Sequence, residues 1–156
     1  MITRTVRASD YPEVIAVINA WWGGRNMADM LPKLFFVHFQ NTSFIVEEKG
    51  QILAFLIGFV SQTNTNEGYI HFVGVHPDHR KKGMAKCLYE TFFGKIKPLG
   101  CNTVRCVTSP VNKNSIMFHT NLGFQVEQGD SEVEGISVHT NYDGKGESRV
   151  LFVKKV

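Results

Sequence analysis

The sequence predicts a mixed α/β domain organised around a parallel strand–helix–strand unit. Three stretches carry that reading. Tyr69 to Val75 is a strand that stops at Pro77. From Gly83, the residues Met84, Leu88, Phe92 and Ile96 recur at every fourth position, with Ala85, Tyr89 and Phe93 beside them, which is the stripe of an amphipathic helix. Cys101 to Thr108 is a second strand. Such crossovers are parallel and almost always right-handed.

The other elements follow in order. Ile2 to Arg7 alternates weakly and forms a short strand ending at Ala8-Ser9-Asp10. Asp10-Tyr11-Pro12-Glu13 has the make-up of a capping box, and Val14, Ile15, Val17, Ile18 and Trp21 continue at helical spacing until Gly23-Gly24. Met27 to Phe39 is apolar on most sides and predicts a second, shorter helix. Phe44-Ile45-Val46 and Ile52 to Val60 flank the turn Glu48-Lys49-Gly50-Gln51 and predict a β-hairpin; Ser61 to Gly68 is a loop. Asn114 to Leu122 is a helix closed by Gly123. Two strands, Val133 to Tyr142 and Arg149 to Lys154, end the chain around Asp143-Gly144-Lys145-Gly146. The order is β-α-α-β-β-β-α-β-α-β-β, with no repeat and no linker, so residues 1–156 are expected to form a single domain.

Composition narrows the class. With 43% hydrophobic and 20% charged residues the chain is neither disordered nor fibrous. A chain this size buries about two-thirds of its extended surface and needs no disulfide or metal staple. Cys87, Cys101 and Cys106 are an odd number without a C-x-x-C pair, and they suit a reducing, cytoplasmic compartment. Met1 to Val6 lacks the apolar core of a secretory signal. The longest apolar run, Ile52 to Val60, is nine residues, about half of a membrane helix, so no membrane partner is expected. A net charge of +3 and a pI near 8.8 are mild, and one basic cluster is thin ground for a nucleic-acid partner.

That cluster, Arg80-Lys81-Lys82, lies between the central strand and Gly83, which opens the helix. Helix N-termini leave amide N–H groups unpaired and carry partial positive charge, so this junction suits a phosphate. It is neither a Walker loop nor a dinucleotide fingerprint. Arg80-Lys81-Lys82-Gly83-Met84-Ala85 resembles the R/Q-x-x-G-x-G/A motif of the GNAT superfamily of N-acetyltransferases, and Val73-Gly74-Val75-His76-Pro77 resembles its fourth strand. Asn112 to Phe124 is similar to a second motif, N-x-x-A-x-x-F-Y-x-x-x-G-F, on a later helix. The element order matches over nearly the whole chain.

The resemblance implies a mostly antiparallel sheet of six to seven strands with helices on both faces, and it implies acetyl-coenzyme A as acyl donor, with no metal. Backbone amides from Arg80 to Ala85, hence Arg80, Lys81, Lys82, Gly83, Met84 and Ala85, would hold the diphosphate. Val73 and Val75 would pair with pantetheine, Asn112 would hydrogen-bond it and Phe118 would pack beside it. A splay between strands ending near Val75 and Thr108 would admit the thioester.

Acetyl transfer to an amine needs a neutral nucleophile, a donor for the oxyanion and a route for the thiolate. An alkyl ammonium of pKa about 10.4 is neutral in about one molecule in 2,500 at pH 7, a cost of about 4.6 kcal/mol. A base or water relay therefore matters. The amide of Val75 is the expected oxyanion donor, a contribution of about 3–4 kcal/mol. The family's usual tyrosine, which protonates departing coenzyme A, aligns with His119; Tyr89 and Tyr142 are alternative acids. The central strand carries no acid from Tyr69 to His76, and His71, on the same face as Val73 and Val75, is the candidate base, with Glu67 behind it. His76 and His79 read as loop residues.

On the acceptor side, Trp21 and Trp22 could frame an amine, Arg25 could take a carboxylate, and Tyr142, Asp143 and Glu147 of the tail turn could meet an ammonium. The expected partner is a small-molecule or peptide amine, and a homodimer is the candidate assembly. The alternative to an enzyme is a catalytically weak coenzyme A-binding sensor or interaction module, which the missing tyrosine favours.

Overall fold

Strand β3 (Gln51–Val60) is apolar along most of its length because both its faces are covered. Ile52, Phe55 and Ile57 pack with Val14, Ile18 and Phe36, while Leu53 and Leu56 pack with Leu88, Phe92 and Ile96. The first set lies on helices α1 (Asp10–Trp21) and α2 (Leu34–His38), the second on α3 (Met84–Ile96). A computed structural model describes residues 1–156 and sets these helices on opposite faces of a seven-stranded sheet.

The sheet runs β1 (Ile2–Thr5), β2 (Phe44–Glu48), β3, β4 (Glu67–Val75), β5 (Thr103–Thr108), β9 (Val150–Lys155), β6 (Gln125–Val126). Every neighbouring pair is antiparallel except β4 and β5, the parallel pair that α3 joins. The fold class expected from the sequence is the one observed. Helix α4 (Lys113–Asn121) follows β5 and covers the α3 face. Gly68 sets how closely α3 approaches: a Cβ there would stand 2.6 Å from Ile96 Cδ1. Burying each large side chain of this layer stabilises the fold by about 1.5–3 kcal/mol.

Four elements differ from expectation. The first strand stops at Thr5, and Asp10 opens α1 as its first residue without capping it. Its carboxylate instead accepts the Arg7 amide (2.7 Å) and two Arg4 guanidinium bonds (2.8 and 2.9 Å), and Arg4 also donates to Glu47. The helix expected over Met27 to Phe39 is a 3-10 turn, Ala28–Met30, followed by short α2. Pro32 interrupts it, having no N–H to give and restricting Leu31 before it. The strand expected over Val133 to Tyr142 is shorter, because β8 (Ile136–Val138) folds back on β7 (Ser131–Val133) and only the bridge His139–Arg149 continues toward β9. Strand β6 was not expected at all, being two residues long.

Candidate active site

The parallel pairing of β4 and β5 is brief. It covers Glu67–Thr103, Gly68–Val104 and Tyr69–Arg105 and then stops. Beyond it β4 stays paired with β3 up to Val75, and β5 stays paired with β9 up to Thr108, so a wedge opens between the two strands. The register of β4 against β3 shifts where Ile57 meets Phe72 and Gly58 meets Ile70, leaving His71 as an extra residue in a bulge where the wedge begins; the bulge breaks the simple alternation and turns His71 onto the α2 face, not the α3 face shared by Val73 and Val75. The His76 amide bonds the Leu53 carbonyl of β3 at 2.8 Å. Since N–H direction alternates along a strand, the amides of Val75 and Val73 face away from β3 and into the wedge.

The turn after β4 is a cradle of donors. Lys81 (φ 62°) and Gly83 (φ 81°) are left-handed, and glycine takes that conformation without penalty. The amides of Lys81 to Lys86 have no acceptor within the protein; the first amide to be bonded is that of Cys87, to the Gly83 carbonyl at 3.0 Å. A Cβ on Gly83 would meet no atom within 4 Å, so space for an anion lies open over these donors. The Arg80 side chain serves differently from expectation. Its guanidinium bonds the Val75 carbonyl at 3.2 Å and the Trp21 carbonyl, tying the turn to β4 and to the end of α1. Met84 is buried in the core, so only its amide faces the cradle. His76 accepts the Asp78 amide at 3.1 Å within the turn, which is the loop role expected of it.

From this cradle a groove of about 590 Å³ runs along β4 to α4, bordered by Val73, Val75, Lys81, Gly83, Asn112 and Phe118 among others, with no carboxylate in its lining. Asn112 Oδ1 caps α4 by accepting the Ser115 amide at 3.2 Å, which leaves its NH₂ group to donate. A second cavity, about 430 Å³, lies in and beyond the wedge, bordered by Tyr69 to Val73 of β4, Cys106 to Thr108 of β5 and the tail residues Asp143, Glu147 and Arg149. Trp22, Arg25, Val73, Tyr89, Asn112, Ser115 and His119 border both cavities and mark their junction. Val75 borders only the groove, so the Val73 amide is better placed than the Val75 amide at the junction.

His119 and His71 both come to this region. His119 is 6% exposed, stacks on Phe152 at 4.7 Å, and bonds the Ser115 carbonyl through Nδ1 at 2.7 Å and the Tyr89 hydroxyl through Nε2 at 2.8 Å. Burial holds its imidazole below the ordinary histidine range, with the Ser115 carbonyl pulling the other way. Burial likewise raises the Tyr89 phenol well above its ordinary value and keeps the Cys106 thiol protonated. His71 stacks on Phe35 at 4.4 Å, and its Nε2 lies 2.6 Å from the Met30 carbonyl. A carbonyl only accepts, so Nε2 carries the proton and, in the neutral ring that burial favours, Nδ1 carries the lone pair.

The acceptor-side expectations divide. Trp21 is buried against Phe55 and borders only the groove, while Trp22 borders both cavities, edge-on to Phe72 at 5.0 Å. The Arg25 guanidinium borders both cavities and makes no hydrogen bond or ion pair within the protein. Tyr142 is exposed and lies outside both cavities. Asp143 and Glu147 do border the second cavity, each bonded to Arg149 (2.9 and 3.1 Å). Sequence reasoning missed Tyr69, Ser115 and Arg149. Tyr69 shares the alternation face used for His71, and that was the available signal.

The acetyltransferase (GNAT) family profile matches residues 9–124. No curated protein matches the sequence. Among solved structures, the fold is similar to the diaminobutyrate acetyltransferase EctA of Paenibacillus lautus, in complex with L-2,4-diaminobutyric acid and coenzyme A (TM-score 0.73, 20% identity, 97% of this chain and 92% of that one). It is also similar to yncA of Salmonella typhimurium with its cofactor acetyl-CoA (0.71, 17%, 99% and 93%). A third is the ribosomal-protein-alanine N-acetyltransferase of Brucella melitensis (0.70, 13%, 100% of both).

Proposed function

The chain belongs to the acetyltransferase (GNAT) family, and from that premise we propose that it is an acetyl-coenzyme A-dependent N-acetyltransferase acting on a primary amine of a small molecule or peptide. The observation that carries the proposal is the run of unbonded amides from Lys81 to Lys86 over a left-handed Gly83. Their chemistry fits the diphosphate of coenzyme A: donors only, lysines beside them and no carboxylate in the groove. When bound, acetyl-coenzyme A supplies the activated acetyl group. The Val73 and Val75 amides and the Asn112 NH₂ would hold pantetheine along the groove, with Phe118 packed beside it.

At the junction the Val73 amide would donate to the oxyanion that develops during direct attack in a ternary complex. The acceptor would enter through the second cavity, between Trp22 and the Asp143–Arg149–Glu147 cluster. His71 Nδ1 would take the first proton from the arriving ammonium and release it to solvent. Arg25, free of any partner, would meet a carboxylate of the acceptor. Three unpaired cysteines accord with a reducing, cytoplasmic setting.

The reading as a binding module without turnover drew on the missing tyrosine of α4; the Tyr89 phenol at the junction weakens that reason. Incubation with acetyl-coenzyme A and a panel of amines, read by a thiol probe, tests the proposal. Thiol release with at least one amine is expected. Coenzyme A binding with no release across the panel would leave the binding module, and absence of binding would remove both.

A further inference from the structure

Both nitrogens of His119 are occupied. The Ser115 carbonyl only accepts, so Nδ1 is protonated; in the neutral ring Nε2 then holds a lone pair, to which the Tyr89 hydroxyl donates. The pair is shut in by Phe118, Phe124 and Phe152, and the Cys106 thiol is the titratable group beside Tyr89. Tyr89 is 3% exposed, yet it borders both cavities at their junction. His119, which aligns with the expected tyrosine, borders the same junction, but with both ring nitrogens bonded it has none free for the reacting atoms and meets them through the phenol supplied by another helix, α3.

We propose that Tyr89 is the catalytic group that carries the amine's last proton to the departing thiolate, with His119 as the positioning residue that takes and returns the phenol proton. This rests on the acetyl-transfer reading above. An ammonium loses two protons in becoming an amide N–H, and His71 accounts for the first. Once nitrogen has bonded to the acetyl carbon, the second proton passes to the Tyr89 oxygen as the phenol proton moves to His119 Nε2. The imidazolium keeps its Nδ1–H bond to Ser115. When the C–S bond breaks and its electron pair goes to sulfur, Nε2 returns its proton to the Tyr89 oxygen and Tyr89 delivers one to sulfur. The amine's proton ends on the thiol, and both residues end as they began. The burial that disfavours a charged ring keeps the imidazolium transient, so His119 is reset after each turnover.

The test uses Tyr89→Phe and His119→Gln with acetyl-coenzyme A and the amine that the wild type accepts best, measuring kcat, coenzyme A affinity by calorimetry, and the solvent deuterium isotope effect on kcat. Tyr89→Phe is expected to lower kcat by about 100-fold and to lose the isotope effect, with affinity nearly unchanged. Glutamine can accept the phenol's hydrogen bond but cannot take its proton, so His119→Gln is expected to lose kcat by a similar factor. Wild-type kcat in either variant would overturn the relay. Should either variant fail to fold, nitrogen-15 NMR of the wild-type imidazole decides: protonated Nδ1 and bare Nε2 support the relay, and the opposite tautomer overturns it. A wild type silent across all amines would overturn the acetyl-transfer reading and the relay together, whereas an active wild type beside an equally active Tyr89→Phe overturns the relay alone.

Discussion

Gly83 is the position at which one substitution separates backbone strain from charge. Its φ of 81° costs any other residue about 1–2 kcal/mol, and its missing Cβ has no neighbour within 4 Å. Gly83→Ala and Gly83→Glu should therefore lose similar folding stability, about 2–8 °C in Tm for a domain of this size. They should part company in binding. A glutamate carboxylate about 5 Å from one diphosphate charge costs about 3 kcal/mol at an effective dielectric of about 20, near 100-fold in Kd. Calorimetry with coenzyme A at low and high salt reads this directly. Gly83→Glu should bind at least about 100-fold more weakly than Gly83→Ala at low salt, with the gap narrowing as screening rises. Equal affinity of the two variants at low salt would refute the placement of the diphosphate on these amides.

His71 and His119 are both held below the ordinary histidine range by burial, so the unfolded chain binds their protons more readily. Stability should be full above about pH 6.5 and should fall as pH drops toward the lowered folded values; a Tm series from pH 8 to 5 should flatten in His71→Gln/His119→Gln. Asp10→Ala leaves Arg4 with Glu47 as its only carboxylate partner and deprives the Arg7 amide of its acceptor, and should cost about 2–4 kcal/mol in denaturant unfolding without altering coenzyme A affinity. Asp143→Asn should raise KM for the amine several-fold at unchanged coenzyme A affinity, measured by thiol release; an unchanged KM would remove the tail turn from the acceptor site.

The parts of the fold that could be read from the sequence are those whose pattern is set locally. The stripe Met84, Leu88, Phe92, Ile96 is a helix wherever it packs, and the turn at Lys49-Gly50 joins β2 to β3 by its own chemistry. The tail could not be read in this way. Ile136 to Val138 has strand character, but whether it continues onto β9 or folds back depends on a rival partner, Ser131 to Val133, that is itself barely patterned. Asp10 shows the same limit from the charge side. Its spacing to Glu13 satisfies a capping box, yet an arginine on the neighbouring strand offers two charge-assisted bonds and wins.

The site divides along the same line, and the division says where its chemistry resides. The cradle is built from main-chain amides of one continuous turn, so a six-residue motif was enough to locate it. The junction is assembled from β4, α3, α4 and the loop after α1, and its key bond joins Tyr89 to His119 across 30 positions of sequence. Read along the chain, Tyr89 is one more member of an apolar stripe, and His119 is a substitution that removes an acid. Only when α3 and α4 pack over the same face does the Tyr89 phenol meet the residue that aligns with the family's tyrosine. In the relay proposed above, the departure that favoured a binding module becomes one half of a proton path.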